Sequence, residues 1–169
     1  FHSYFHPFKY LCTHYSYHMK IIITGAGAVG FHLAKMMASE HQDIYLIDEN
    51  QERLNYVQSS LDIFTIHGDA KSITVLKEAK VDSCDLLIAV TSSEETNLLV
   101  SILAKKFGAK RTIARINNLE LKEPDNVALL ESLGIDELIA PVQLASEEIK
   151  RLIKRSVFTD DHQFEGGKL

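Results

Sequence analysis

Short apolar runs alternate with amphipathic stretches from Met19 onward, which is the pattern of a sheet built from βαβ units. The runs are continuously aliphatic or β-branched, and this predicts parallel strands that are covered on both faces. The predicted strands are 20–24, 43–47, 63–66, 86–90, 112–114 and 138–139. Apolar residues at helical spacing predict helices at 29–40, 51–58, 72–79, 93–107, 124–133 and 141–156. The expected fold is α/β, a Rossmann-like doubly wound parallel sheet of about six strands.

The first predicted strand runs directly into a glycine-rich motif of the form G-x-G-x-x-G. In a dinucleotide site the first glycine allows a tight turn, the second lets backbone N–H groups approach a pyrophosphate, and the third lets the helix pack closely on the strand. The start of the following helix adds free N–H donors and a partial positive charge. The motif therefore supplies six candidate cofactor-binding residues: Gly25, Ala26, Gly27, Ala28, Val29 and Gly30.

An acidic residue completes the pattern. Asp48 directly follows the second predicted strand, eighteen positions after Gly30, and can accept hydrogen bonds from a ribose diol. A carboxylate here repels a 2′-phosphate, so NAD(H) or an adenine nucleotide is favoured over NADP(H). The alternative is a structural turn with Asp48 solvated or capping, but the ordered strand, motif, helix and acid favour nucleotide binding.

Polar residues follow the third and fourth predicted strands, at the edge where ligands of this fold bind. Asp69 can hydrogen-bond an adenine edge or cap the next helix, and both roles stay open, while Ala70 keeps the wall of the site small. Thr91 and Ser92 offer hydroxyl and backbone N–H groups near the expected second ribose or phosphate. Helix capping by Ser92 or Ser93 is the alternative role.

Arg115 stands at the end of the fifth predicted strand, where an apolar neighbourhood makes an unpaired guanidinium costly. A bound phosphate would satisfy it through a bidentate fork, and a salt bridge to Glu94 or Asp69 is the competing arrangement. Glu94 and Asn97 lie one turn apart and can hold a cation or a ligand hydroxyl. Two oxygens alone make a poor site, so a solvated face is favoured and no metal site is predicted.

Length and composition narrow the function classes. The 169 residues suffice for one domain, and a formal charge of −5 gives no electrostatic case for nucleic-acid binding. No apolar run approaches the roughly 20 residues that span a bilayer. Cys12 and Cys84 have neither metal nor redox spacing, which suggests a reducing, cytosolic compartment, with Cys84 a small buried thiol.

The chain divides into three predicted parts. Residues 1–18 hold four histidines without hydrophobic period, and they are interpreted as a non-native-looking, disordered extension rather than a metal site. Residues 19–156 form the nucleotide-binding domain. Residues 157–169 look like a linker into a truncated C-terminal module.

Among the later histidines only His67 lies near a strand end, so acid–base chemistry beside a nicotinamide is lacking and the nucleotide is a regulatory ligand rather than a reagent. An NAD-dependent oxidoreductase and a ligand-free structural module are the alternatives.

Five segments together resemble the TrkA-type regulatory proteins of bacterial Trk potassium uptake, in the N-terminal half of the RCK (regulator of K⁺ conductance) module. They are residues 19–30 (MKIIITGAGAVG), Asp48, residues 89–97 (AVTSSEETN), residues 113–116 (IARI) and residues 138–144 (LIAPVQL). The resemblance implies a non-enzymatic protein at the inner face of the cell membrane that binds NAD(H) or ATP/ADP. It also implies a homo-dimer or ring that gates an integral-membrane potassium-translocating partner.

The resemblance assigns ligand contacts to Gly25–Gly30, Asp48, Thr91 with Ser92, and Arg115, and it moves Arg115 toward a phosphate partner. It also gives the apolar face of the last predicted helix a partner subunit, whereas packing on its own sheet is the default. The family usually has a polar or basic residue at the position of Ala28, so one ligand contact is lost here.

Overall fold

The computed structural model describes residues 18–141, 146 and 150–152. The strands are β1 (Lys20–Thr24), β2 (Asp43–Asp48), β3 (Phe64–His67), β4 (Leu86–Ala89), β5 (Arg111–Arg115) and β6 (Glu137–Ile139). The helices are α1 (Ala28–Ala38), α2 (Gln51–Ser60), α3 (Ile73–Glu78), α4 (Glu94–Phe107) and α5 (Pro124–Leu133). Two short 3-10 turns, Val81–Ser83 and Leu119–Lys122, were not predicted. The predicted extension 1–18 apart from His18, the predicted linker 157–169 and most of the predicted last helix 141–156 lie outside the described residues.

All six strands form one parallel sheet with the order β3-β2-β1-β4-β5-β6. The predicted fold is confirmed, and the bounds of these elements differ from the predicted ones by at most two residues. The chain builds the sheet outward from β1 to β3, then crosses back to β4 beside β1 and continues to β6. In such a sheet a crevice opens beyond the carboxyl ends of the strands at the point where the order reverses. Here that point lies between β1 and β4.

Two hydrophobic clusters cover the two faces of the sheet. Ile22 belongs to one cluster, and its strand neighbours Ile21 and Ile23 belong to the other, because successive side chains of a strand point to opposite faces. Cys84 is fully buried in the first cluster, as predicted. Burial on both faces explains why the strands are continuously apolar and not alternating.

Helix α4 has a capping residue at each end. The Ser93 hydroxyl accepts a hydrogen bond from the Thr96 N–H at 3.0 Å, and Gly108 ends the helix with a φ of 116°. These two residues fix the start and end of the helix that carries Glu94 and Asn97 beside the crevice. None of the helices in the described residues is both long and apolar enough to cross a membrane.

Candidate functional site

The carboxyl ends of β1 to β5 open into one cleft of about 460 Å³. Ten of the twelve predicted site residues line it, and Ala26 and Gly30 lie outside the lining. The structure therefore brings the candidate residues together. The lining is Gly25, Gly27, Ala28, Val29, Ile47, Asp48, Glu49, Arg53, Gly68, Asp69, Ala70, Lys71, Val90, Thr91, Ser92, Ser93, Thr96 and Arg115.

The three motif glycines have different surroundings. Gly25 has a φ of 100°, and a Cβ there would lie 2.9 Å from the backbone of Thr91. A Cβ on Gly30 would lie 1.8 Å from the carbonyl oxygen of Gly25, so α1 packs directly on the end of β1. A Cβ on Gly27 would meet nothing within 4 Å, although Gly27 lines the cleft. The tight turn and the close packing are as the motif predicts, and open space lies beside Gly27.

The N-terminus of α1 faces this cleft without a side-chain cap. Gly27 is its N-cap residue, no side chain accepts a hydrogen bond there, and the first turn contains no acidic residue. The first N–H groups of a helix need acceptors from outside the helix, and the helix dipole favours a negative one. This end of the cleft is therefore suited to an anion.

Asp48 closes the glycine loop onto β2. One carboxylate oxygen accepts from the Ala26 N–H at 2.6 Å, and the other accepts from the Asn50 N–H at 2.7 Å. The Arg53 guanidinium lies 3.8 Å from the first oxygen, and the Asp48 side chain is only 8% exposed. Asp48 is thus hydrogen-bonded within the protein and also lines the cleft. Its carboxylate oxygens can accept further hydrogen bonds, as a ligand contact requires.

The Thr91 hydroxyl is turned toward α4. It lies 2.7 Å from Asn97 Oδ1 and 3.1 Å from the Ser93 carbonyl oxygen, so its proton is used inside the protein. Ser93 and not Ser92 caps α4. Ser92 is exposed and lines the cleft. The Thr91 hydroxyl is thus bonded within the protein while Thr91 still lines the cleft, and the capping alternative holds for Ser93.

Arg115 lines the cleft, and its Nε atom is buried without a hydrogen-bond partner. Within residues 18–141 it forms no ion pair, so the alternative salt bridge to Glu94 or Asp69 is not formed. Glu94 instead accepts from the Asn117 and Asn118 N–H groups. A buried guanidinium nitrogen without an acceptor is costly, and the same arginine lines the cleft, where an anion would pair with its charge.

Two side-chain roles differ from the alternatives that the sequence left open. Asp69 accepts from the Lys71 N–H at 2.8 Å in the turn before α3, and Ser72 is the N-cap residue, so Asp69 is no helix cap. Asn97 is buried and fully hydrogen-bonded, not solvated. Neither Asn97 nor Glu94 belongs to a group able to hold a metal, since none occurs in the part of the chain that the structure describes.

Two basic residues of the lining were missed. Arg53 lies in the first turn of α2, five positions after Asp48, and is 57% exposed. Lys71 follows Asp69 by two positions, and its ammonium lies 3.5 Å from that carboxylate. Each of these basic residues lies near an acidic residue that the sequence indicates as a ligand contact. The sequence alone does not give the two distances, because they depend on how α2 and the loop between β3 and α3 fold.

Comparison with known proteins shows which family the chain is similar to. The family model of the TrkA-N domain matches residues 21–141. A Trk system potassium uptake protein TrkA homolog from Archaeoglobus fulgidus is 39% identical over 151 residues, which are 89% of this chain and 34% of the relative. TrkA from Haemophilus influenzae is 41% identical over 137 residues, 80% of this chain and 30% of the relative. The chain thus spans about a third of the length of these curated relatives.

Solved structures share the fold. The TrkA-N domain of the inner membrane protein YbaL from Escherichia coli has a TM-score of 0.68 at 16% identity, covering 79% of this chain and 95% of that one. The GsuK channel bound to NAD gives 0.59 at 17% identity, covering 73% and 21%. GsuK bound to ADP gives 0.64 at 22% identity, covering 82% and 34%. The match of the family model over most of the described residues carries the assignment: the chain belongs to the TrkA-N domain family.

Proposed function

We propose that the cleft binds an adenine nucleotide, NAD(H) or ATP/ADP, and that the chain is the nucleotide-sensing domain of a potassium uptake regulator. One observation carries the proposal. The buried Nε atom of Arg115 has no partner, and Arg115 lines the same cleft as the uncapped N-terminus of α1. Both groups call for a negative charge, and a phosphate chain between them would supply it.

The rest of the cleft supports a nucleoside attached to that phosphate. Asp48 lies beside the glycine loop, where a ribose diol would share its oxygens, and Ala70 leaves room for a flat base. Open space beside Gly27 is where a ligand can approach the backbone. GsuK structures hold NAD in one case and ADP in another. A protein of this fold thus takes either ligand class, and in this chain Asp48 disfavours a 2′-phosphate.

Regulation is the favoured role because hydride transfer needs an acid or base beside the nicotinamide. Histidine, tyrosine and cysteine do not occur among the described residues that line the cleft, and its Asp48, Asp69 and Lys71 already have partners within the protein. The relatives are named as Trk potassium uptake proteins. The proposed partner is accordingly an integral-membrane potassium-translocating subunit, which a homo-dimer or ring of this protein would gate from the inner face of the cell membrane.

Calorimetric titration of the chain with NADH, NAD⁺, ATP and ADP tests the binding step. We expect saturable binding that is weakened by Arg115→Ala and by Asp48→Ala. Arg111→Ala is the matched control, because Arg111 starts the same strand β5 and pairs with Glu137, far from the cleft end of that strand. Equal binding by the Arg115→Ala and Arg111→Ala variants would remove the basis of the proposal.

The regulatory step needs a second measurement on the complete regulator. Potassium uptake into vesicles that contain the translocating subunit should respond to the nucleotide that binds most tightly. The response should disappear in the Arg115→Ala regulator, because a ligand can shift an equilibrium only through its differential affinity for two states. Steady consumption of NADH with a substrate would instead support the oxidoreductase alternative.

A further inference from the structure

We propose that Glu94 and Asn97 are positioning residues that hold the Arg115 segment in its anion-binding geometry. The inference rests on the proposed function and deepens it, since it says that two residues of the first turn of α4 position the arginine of that same cleft. Neither side chain lines the cleft, and yet Asn97 bonds the backbone carbonyl of the arginine and Glu94 bonds the backbone just after it. They act through Arg115 and not on the ligand directly.

Asn97 ties two strand ends together. Its Oδ1 atom accepts from the Thr91 N–H at 2.8 Å, and its Nδ2 atom donates to the Arg115 carbonyl oxygen at 2.9 Å and the Thr91 carbonyl oxygen at 3.2 Å. The side chain is 1% exposed. A buried amide that uses its donor and its acceptor fixes its neighbours, because each broken bond would leave a polar group unpaired. The ends of β4 and β5 therefore have one relative position.

Glu94 holds the residues that follow Arg115. Its Oε2 atom accepts from the N–H groups of Asn117, at a short distance, and of Asn118, at 2.8 Å. Between these anchors the Ile116 N–H donates to the Ile139 carbonyl oxygen at 2.8 Å. The backbone is thus tied down at four consecutive residues, from Arg115 to Asn118. The arginine has only its own side-chain rotamers to order when an anion arrives.

Because Glu94 is charged, its electrostatic role and its anchoring role predict opposite effects on anion binding. A carboxylate near the arginine repels a phosphate, so a purely electrostatic role predicts tighter anion binding when Glu94 is neutralised. An anchoring role predicts weaker binding when the acceptor is deleted, because Arg115 then loses its fixed support. Glu94→Gln removes the charge and keeps an acceptor oxygen, whereas Glu94→Ala removes both. The two variants therefore separate charge from support.

Titration of the chain with ADP and with adenosine tests this. We expect Glu94→Gln to bind ADP at least as tightly as the unchanged chain and Glu94→Ala to bind it about tenfold more weakly, as for one charge-assisted anchor. Adenosine, which lacks the phosphates, should bind both variants alike. Glu95→Ala is the matched control, because this neighbouring acid of the same turn bonds Ser93 and not the arginine segment. It should leave ADP affinity unchanged.

A second background distinguishes failure of the inference from failure of the proposed function. In the Arg115→Ala chain, Glu94→Ala and Glu94→Gln should bind ADP equally, since the group they act through is absent. Equal ADP binding by the two variants with Arg115 present would overturn the inference, and the proposed function would stand on the loss in Arg115→Ala alone. Absence of any Arg115-dependent ADP binding would overturn both.

Amide hydrogen exchange of the ligand-free chain gives an independent readout. Glu94→Ala should speed exchange at the N–H groups of Asn117 and Asn118 by at least tenfold, while Glu94→Gln and Glu95→Ala leave them protected. Unchanged protection in Glu94→Ala would contradict the anchoring role, whatever the ADP affinities. Asn97→Asp, which keeps an acceptor for Thr91 and loses the donor to Arg115, should weaken ADP binding and leave adenosine binding intact.

Discussion

Replacing Gly30 by alanine should damage the fold, although alanine is the better helix former. Gly30 lies in the first turn of α1, where a glycine-to-alanine change in a regular helix would stabilise it by about 1 kcal/mol. Here the added Cβ would lie 1.8 Å from the carbonyl oxygen of Gly25. The opposing atom belongs to the backbone, so it cannot rotate away as a side chain would. Steric conflict and helix propensity therefore act in opposite directions.

The steric effect should dominate. Relief of the contact requires α1 to move away from the end of β1, because the same Cβ would also lie 3.0 Å from the carbonyl carbon of Gly25. Overpacking of this kind costs about 1–3 kcal/mol. With the upper value and the gain in helix propensity, Gly30→Ala should lower the free energy of unfolding by about 2 kcal/mol. For a chain of this size that is a decrease in Tm of roughly 4–8 °C.

Gly27→Ala is the matched comparison three positions earlier. Its Cβ would meet no atom within 4 Å, and its φ of −68° suits any residue. Loss of the glycine N-cap and reduced entropy of the unfolded chain nearly cancel, so its Tm should change by no more than roughly 2 °C. The methyl group would, however, occupy the open space beside the cleft. Gly27→Ala should therefore lose ADP affinity at nearly unchanged stability, while Gly30→Ala loses stability first.

Thermal unfolding followed by circular dichroism, together with calorimetric titration with ADP, measures both effects. A Gly30→Ala chain as stable as the unchanged protein would refute the close packing of α1 on β1. A Gly27→Ala chain that binds ADP normally would refute the approach of a ligand to the glycine-loop backbone. The two outcomes are independent, because one variant tests packing behind the loop and the other tests the cleft in front of it.

Three further predictions concern other parts of the domain. In a Cys12→Ser chain, Cys84 should react with a thiol reagent only as fast as the protein unfolds, because it is fully buried. Burial also raises the pKa of Cys84 to about 11, so the thiol loses its proton more readily in the unfolded chain. The free energy of unfolding, measured with urea, should therefore decline as the pH rises from about 9 to about 11. Burial alone would raise the pKa of Asp136, but the hydrogen bond from Lys105 and those from neighbouring groups outweigh it and hold that pKa below its ordinary value. The stability this gives should be present above about pH 4 and lost as the pH falls through the lowered pKa, a dependence that urea unfolding should find reduced in Asp136→Asn. Ser93→Ala should cost about 1 kcal/mol of helix-cap energy, seen as a decrease in Tm of roughly 2–4 °C.

The strands, helices and cleft could be predicted because their signals are local. A continuous aliphatic run, a glycine motif and an acid after the next strand each occupy a few adjacent residues. The parallel sheet then brings the strand ends together whatever their sequence separation. Ten predicted residues line one cleft for this reason, although no single segment of the sequence contains them.

Side-chain partners across loops could not be predicted in the same way. The Thr91 hydroxyl turns to Asn97, and Glu94 binds N–H groups of Asn117 and Asn118, more than twenty residues further along the chain. These bonds depend on how far α4 stands from the end of β5. That distance is set by the packing of the helix on the sheet and not by any local pattern. From the sequence alone, a polar residue at a helix start could therefore cap the helix or contact a ligand equally well.

Asp48 and Arg115 illustrate the consequence for assigning function. Asp48 was identified as a ligand contact from its place after a strand, and Arg115 through the family resemblance. Asp48 also holds Ala26 and Asn50, so its loss would loosen the glycine loop as well as remove an acceptor. Arg115 has no such internal task for its side chain within the described residues, and its Nε lacks any partner. A loss of nucleotide affinity in Asp48→Ala therefore combines loop support with ligand contact. In Arg115→Ala the loss reports the ligand contact itself, and for that reason the arginine carries the functional assignment.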